Sequence, residues 1–443
     1  MQNNNLTKGE IDMGNMKILV WNLQTFGKST YTGKDRVVCN FVARVIADKR
    51  ADVLVIQELM EDGQFDLAML ATYLRWTTGS DWSYDWLPGA IVSGTLPAKI
   101  LNFNDLKFNG TAHNEGYAVL YKKPAHHPYT PTLVAFGHPG MSKEGDKGNE
   151  PFISLVTHGA QVTSDVSLAM PLIPAPGPYV RTPLPFAIPN PASVFDPDPT
   201  RRYNQSGVDG VLSYDDVRRP CWVKLNTGAT LVHLVVYHAP VSYFGSYNGT
   251  GICGLIEQVQ DPANFPNVIV AGDFNNIVQN HLNNGFENFT QENFNYGTGD
   301  PINGFEKSMT RFTVNNWGAT LLQPTDPQAN FYGNPRDQLL YRFNSPGITH
   351  NSSEVIDIVS LLLIPNSPLA QYVHKSNDIS NFIHRNTSYN LPPVVSASAN
   401  LVASLNNICN PSNNVPFPDH LTAATFYRLF ISDHFPVFID FDF

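Results

Sequence analysis

The chain is poor in charge: 15% of its 443 residues are Asp, Glu, Lys or Arg, where about 25% is usual for a soluble domain. Basic residues are the scarcer sign, with Lys+Arg 28 against Asp+Glu 38 and a formal net charge of −10. That scarcity argues against a protein gripping nucleic acid through a broad basic face, because such affinity rests on Lys and Arg neutralising phosphates. It does not argue against phosphodiester chemistry at one local site. Also lacking is a basic amphipathic helix or Lys/Arg cluster of the kind that docks on an anionic membrane. No run of about 20 apolar residues occurs, and the longest candidate, Ile358 to Pro365, is strand-sized. A soluble protein without a membrane span is expected.

Cysteine is scarce as well. Cys39, Cys221, Cys253 and Cys409 are too far apart for a disulfide framework or a zinc pattern, so buried free thiols are expected. Residues Met1 to Asn15 are polar and Asn-rich, without the apolar core of a secretory signal. They read as a disordered lead-in, with one domain running from Met16 to Phe443. A cytoplasmic location is the expectation, although export by a non-classical route would leave the same sequence.

What the chain does have is 42% hydrophobic and 12% aromatic residues, enough for a sizeable core. Lys17 to Trp21 and Ala51 to Ile56 are apolar, strand-like runs, and between them Val37, Val38, Phe41, Val45 and Ile46 recur at helical spacing. Further strands are predicted at Tyr117 to Lys122, Cys221 to Leu225, Leu231 to Tyr237, Asn267 to Ala271, Glu354 to Leu363 and Val437 to Asp440. Many strands with few long helical patterns predict sheets packed together with helices outside. Fifteen of the 34 prolines fall between Pro124 and Thr200, a density that opposes both helix and central strand. Residues 124–200 therefore read as an extended surface insertion. Residues 281–351 and 365–427, rich in Asn and turn formers, read as elaborated loops. The aromatic stretch TYLRWTTGSDWSYDWLPG reads as core filling rather than a base-stacking platform.

Several strand-like runs end on a polar group: Asn22 in ILVWNLQTF, Glu58 in VLVIQE, His238 in LVVYHAP, and Asp273 and Asn275 in VIVAGDFNN. Asp433 and His434 in ISDHFPVFI instead precede a strand, and Glu115 in HNEGYAVLYKK and Asp357 in EVIDIVSL join the set. Groups mounted at rigid sheet edges can converge on one cleft. Carboxylates with amide and imidazole neighbours suit a hard cation and a phosphate.

In this order WNLQ, IQE, RRP followed by a strand, YHAP, GDFNN, ID and SDHFP resemble the endonuclease/exonuclease/phosphatase superfamily, the DNase I-like fold, with the insertions unmatched. The resemblance implies an α+β fold: a two-sheet β-sandwich flanked by helices in four layers, α/β/β/α, with long loop insertions. It implies that Glu58, Asn22 and Asp433 serve the metal, Asn22 supporting metal or phosphate. His238 and His434 resemble the family's paired catalytic histidines, oriented by Glu115 and Asp357 respectively. Asp273 and Asn275 resemble the residues that position or activate water and hold the scissile phosphate. Arg218 in VRRP resembles a phosphate-contacting arginine of the DNase I branch, with Arg219 one place away as the alternative.

The expected cofactor is Mg²⁺, with Mn²⁺ and Ca²⁺ as alternatives, and the expected partner is nucleic acid, DNA in preference to RNA. In the implied chemistry His434 or Asp273 activates water while His238 holds or protonates the phosphate. The leading expectation is thus a divalent-metal-dependent, DNase I-like nuclease. The alternative is a phosphatase or phosphodiesterase acting on phosphoinositide, sphingomyelin or nucleotide substrates. A non-catalytic binding module is the minor reading, opposed by the complete set of site residues.

Overall fold

The computed structural model describes residues 14–27, 34–60, 63–88, 115–123, 132–137, 154–155, 182–183, 211–212, 220–228, 230–238, 259, 262–274, 289, 293–297, 337–387, 399–413 and 415–443. Its strands are β1 (Asn15–Phe26), β2 (Val53–Leu59), β3 (Trp82–Pro88), β4 (Gly116–Lys122), β5 (Thr132–Gly137), β6 (Ser154–Leu155), β7 (Thr182–Pro183) and β8 (Val211–Leu212). There follow β9 (Cys221–Asn226), β10 (Leu231–Val236), β11 (Asn267–Asp273), β12 (Asn295–Tyr296), β13 (Asp337–Phe343), β14 (Thr349–Val355) and β15 (Val437–Asp442). The helices are α1 (Lys34–Lys49), α2 (Gly63–Thr78), α3 (Ile358–Leu363), α4 (Pro368–Lys375), α5 (Asn377–Thr387), α6 (Ala399–Ile408) and α7 (His420–Phe430).

Two mixed sheets face each other. One runs β14-β15-β1-β2-β4-β3 and the other β12-β13-β11-β10-β9-β5-β6, with β7 and β8 forming a small separate ribbon. Each large sheet has a parallel pair near its middle, β1 with β2 and β10 with β11. The strands read as continuous apolar runs because the first sheet is buried on both faces. Along β1, Met16, Ile18 and Val20 enter the core between the sheets, while Leu19, Trp21 and Leu23 enter the core under the helices. β2 divides the same way, Val53 and Val55 inward, Leu54 and Ile56 towards the helices. The result is two mixed sheets with flanking helices, as expected of a DNase I-like fold. The expected helical layer on the outer face of the second sheet falls on residues outside those described.

Several expectations need correction. The run from Glu354 to Leu363 is not one strand: β14 ends at Val355 and α3 begins at Ile358. Asp357 caps that helix, its carboxylate accepting from Ser360 N at 3.0 Å and Ser360 Oγ at 2.6 Å. A short apolar run has no periodicity that separates buried strand from buried helix, and the cap decides. Residues 365–427 are not a loop but hold α4 to α7. Ser367 caps α4 with Pro368 behind it, and Asp419 caps α7. In the Asn-rich α5, Ile379 and Phe382 bury one face, so polar composition on the other face did not prevent a helix. Residues 281–351 likewise contain β12, β13 and the start of β14. Within the Pro-rich stretch, β5 pairs antiparallel with β9, and most of the rest lies outside the described residues. So does the lead-in before Gly14, which itself pairs with Phe443 through both backbone groups at 3.0 and 2.9 Å.

Cys39, Cys221 and Cys409 are buried free thiols, as expected; Cys253 lies outside the described residues. The aromatic stretch splits between α2 and β3, with Tyr73 and Trp82 in the core and Trp76 exposed. No helix among the described residues is long and apolar enough to cross a membrane.

His233, on β10, is a packed histidine. It stacks on Trp222 at 5.6 Å, meets Phe265 edge-on at 4.9 Å, and its Nδ1 accepts from Trp222 Nε1 at 3.2 Å. Burial, assisted by Lys224, lowers its pKa to about 4. The unfolded chain, with a pKa near 6.5, binds the proton more readily, so this group costs stability as pH falls from about 6.5 towards 4, by up to about 3 kcal/mol. Urea unfolding at pH 7 and pH 4.5 should therefore show a larger acid loss in the wild type than in His233→Gln. Equal losses would refute the assignment.

Candidate active site

The carboxyl ends of β1, β2, β10 and β11 meet at one end of the sandwich. Gln57, fully buried at the end of β2, reaches across the gap between sheets, and its Oε1 accepts from Asp273 N at 3.1 Å. That approach requires glycine before the aspartate. Gly272 has φ +129°, and a Cβ there would lie 2.4 Å from Tyr237 O and 2.5 Å from Gln57 Nε2. Gly272→Ala should cost about 3 kcal/mol or more in chemical denaturation, since backbone and strain both oppose it. A loss under about 1 kcal/mol would show that the sheet ends separate easily.

Around this bridge the expected residues gather. Asn22 donates from Nδ2 to Glu58 Oε1 at 2.9 Å and to Asp273 Oδ2 at 3.3 Å, and its Oδ1 accepts from Gln24 N at 3.0 Å. Its amide thus holds two carboxylates side by side. Glu58 also accepts from Thr25 N at 2.9 Å. Gln24, Thr25 and Glu58 all have positive φ, 46°, 57° and 58°, a left-handed conformation that non-glycine residues adopt at a cost. All three stand at the register shifts that interrupt β1 after Asn22 and β2 after Gln57.

Two buried histidines face the same carboxylate. His238 places Nδ1 3.2 Å from Glu115 Oε2, and its Nε2 lies 3.5 Å from Glu58 Oε1 and 3.6 Å from Asp273 Oδ2. Its backbone N–H donates to Tyr117 Oη at 3.1 Å. His434 donates from Nδ1 to Asp337 Oδ2 at 2.7 Å, with Nε2 3.5 Å from Asp273 Oδ2 and 3.6 Å from Asp433 Oδ1. Burial acts to lower the His434 pKa, but Asp337, Asp433 and Asp273 together outweigh it and raise the group to about 10.

The SDH loop is tied down from both sides. Ser432 Oγ donates to Asn22 O at 2.7 Å and accepts from His434 N at 3.0 Å. The His434 carbonyl accepts from Trp21 Nε1 at 3.0 Å and from the Tyr427 hydroxyl. The serine of that motif is therefore a brace between the loop and β1.

One expected pairing is corrected. The carboxylate on His434 is Asp337, at the start of β13, and not Asp357, which caps α3. β13 runs antiparallel to β11, and Asp337 stands opposite Asp273 in register. The first residue of one strand and the last of its neighbour thus meet at the same sheet end. The sequence PRDQLLYRF carries a weaker form of the signal seen in the others, since Gln338 separates the acid from Leu339 and Leu340 and Arg342 interrupts the run. Asp433 lies beside His434 and is also bound by Arg428, Nη1 to Oδ2 at 3.0 Å. Arg218 and Asn275 lie outside the described residues.

Other residues at the site have no motif around them. Arg428, from α7, donates to Gln24 Oε1 at 2.9 Å as well as to Asp433. Lys34, opening α1, is half-buried, and that burial lowers its pKa; Asp35, Asp433 and Glu58 act against it and Arg428 with it. Both cations stand at the Glu58–Asp433 edge.

Among the described residues, two sets of three side chains offer ligand atoms close enough to share an ion: Glu58, Glu115 and His238, and Asp273, Asp337 and His434. A profile of the Endonuclease/Exonuclease/phosphatase family matches residues 19–215. Over that segment the chain is similar to the endonuclease/exonuclease/phosphatase family. The matched segment carries Asn22, Glu58 and Glu115, and His238, Asp273, Asp337 and His434 join them through the geometry just described. No curated protein matches the chain in sequence. Among solved structures it is similar to an endonuclease/exonuclease/phosphatase family protein from Leptotrichia buccalis (12% identity, 97% of this chain and 100% of that one, TM-score 0.39). It is similar also to a mannosyl-6-phosphatase from Bacteroides thetaiotaomicron (11%, 97% and 100%, 0.39) and to D. rerio TDP2 complexed with single strand DNA product (10%, 97% and 99%, 0.37). These likenesses carry no information on what this chain acts upon.

Proposed function

We propose that the chain hydrolyses phosphodiester bonds in nucleic acid, DNA in preference to RNA, with Mg²⁺ as cofactor. One observation carries the hydrolytic reading: Asp273 Oδ2 lies 3.6 Å from His238 Nε2 and 3.5 Å from His434 Nε2, and each histidine is backed by its own carboxylate. The nucleic-acid reading rests on the resemblance of VRRP and HNEGY to the DNase I branch.

The donor set fits a hard cation, because Glu58, Asp273 and the adjoining carboxylates are oxygen ligands held close together by Asn22. Glu58 and Asp273 would hold the ion, with Asp433 at its edge. When bound, a divalent cation draws negative charge from the phosphate oxygens as the bond breaks.

The remaining chemistry belongs to the side chains. His434 Nε2 faces two carboxylate oxygens while Nδ1 donates to Asp337, so both ring nitrogens carry protons and the ring is a charged donor to phosphate. That leaves Asp273 to take the proton from the attacking water. His238, fixed by Glu115, offers Nε2 to a phosphate oxygen or the departing one. Asn275 and Arg218 retain their expected parts in holding the scissile phosphate.

Supercoiled plasmid, linear DNA, RNA, bis-(p-nitrophenyl) phosphate and an inositol phosphate panel should be tested with Mg²⁺ and with EDTA. Plasmid nicking that EDTA abolishes is the expected result. Phosphate release from inositol phosphates alone would sink the nuclease reading, and activity that survives EDTA would sink the metal.

A further inference from the structure

On the helical side of the first sheet, a cavity of about 580 Å³ opens between α1 and α4, lined by Asn40, Arg44, Asn366, Pro368, Gln371, Tyr372, Lys375 and Ser376. Asn40 and Arg44 are one helical turn apart on α1 and so share a face. Arg44 donates from Nε to Asn40 Oδ1 at 3.2 Å, and its guanidinium carbon sits 4.5 Å above the Tyr372 ring. Stacked and tethered in this way, the guanidinium is fixed before any ligand arrives, with its terminal nitrogens left over. Lys375 supplies a second positive charge from the last turn of α4. Among the described residues, no carboxylate lines the cavity. Asp378, which acts on Tyr372 from the start of α5, is ion-paired with Arg36 at 3.4 Å.

We infer that this cavity binds a small organic phosphate at a site separate from the catalytic cluster. Two cations with amide and hydroxyl groups, and no acid among the described lining residues, call for an anion of high charge density. The volume falls within the roughly 300–1,000 Å³ of small-molecule sites and far exceeds what a bare phosphate fills. Pro368 and Tyr372 give the organic part an apolar wall. The site is distinct from the active centre because α1 separates them: Lys34 opens the helix beside Glu58 and Asp433, and Arg44 follows ten residues later, about 15 Å along its axis.

Isothermal titration of the full chain, treated with EDTA to weaken phosphate binding at the catalytic cluster, tests this with AMP and glucose 6-phosphate as probes. Inorganic phosphate and adenosine are the controls. Saturable binding of an organic phosphate is expected, unchanged in Glu58→Gln and weakened about tenfold in each of Lys375→Glu and Arg44→Gln. Lys375 is exposed, so its variant tests the site without risk to the fold, and thermal melting checks the Arg44 variant. Absence of binding by both organic phosphates overturns the proposal. So does binding lost in Glu58→Gln and kept in Lys375→Glu, which would place the anion at the catalytic centre. Inorganic phosphate or adenosine binding as tightly as AMP would overturn the ligand class.

Discussion

Asp273→Asn should lower kcat on bis-(p-nitrophenyl) phosphate by about 10³-fold or more while leaving the melting temperature close to that of the wild type. The size follows from the residue's position. Its Oδ2 is the atom shared by Asn22, His238 and His434, at 3.3, 3.6 and 3.5 Å, so one oxygen organises both histidines and the edge of the cation site. General-base catalysis alone is worth about 10²- to 10⁴-fold, and loss of a cation ligand adds to it. Asparagine keeps the shape and an oxygen but cannot take a proton. The backbone N–H that Gln57 receives is untouched, so the two sheets remain joined. Rescue of kcat by raising Mg²⁺ would assign the loss to cation affinity. A variant within tenfold of the wild type at saturating Mg²⁺ would remove Asp273 from the proton transfer.

Much of this site was legible because each half of it sits where an apolar strand stops. Leu231 to Val236 and Asn267 to Ala271 are buried on nearly every residue, so the next polar side chains, His238 and Asp273, stood out against their surroundings. The same physics hid Asp337. Its strand, DQLLYRF, is interrupted by Gln338 and Arg342, it follows a long Asn-rich segment, and its acid comes first instead of last. Only antiparallel register with β11 brings that end to Asp273. The helices α4 to α7 were hidden by composition, since Ser367 and Asp419 serve equally as turn formers and as caps, and burial against Phe41 and its neighbours settles which. Lys34 and Arg428 reach the site through the packing of α1 and α7. No local pattern announces a cation that arrives by tertiary packing.

The exchange of Asp357 for Asp337 gives the second large expected effect. Asp337→Ala should reduce kcat by about 10³-fold, whereas Asp357→Ala should leave kcat within about threefold and cost about 1 kcal/mol of stability. With Asp337 in place the His434 ring is oriented by a bond at 2.7 Å from Nδ1. Without it, Nδ1 is left buried with no acceptor at that position, the ring can turn, and the charged form loses the strongest of the carboxylates that raise its pKa towards 10. The pH profile separates orientation from mere damage to the fold. In Asp337→Ala the pKa assigned to His434 in kcat should fall, because burial then opposes protonation with less to offset it. Asp337→Asn restores an acceptor for Nδ1 without the charge, so it should recover part of the rate and leave the pKa low. Asp357 offers no such pattern, since both its oxygens accept from Ser360 at the head of α3. If Asp357→Ala matched Asp337→Ala in kcat and in pH profile, the histidine would take its orientation from the helix cap, and the pairing across the sheet would carry no catalytic weight.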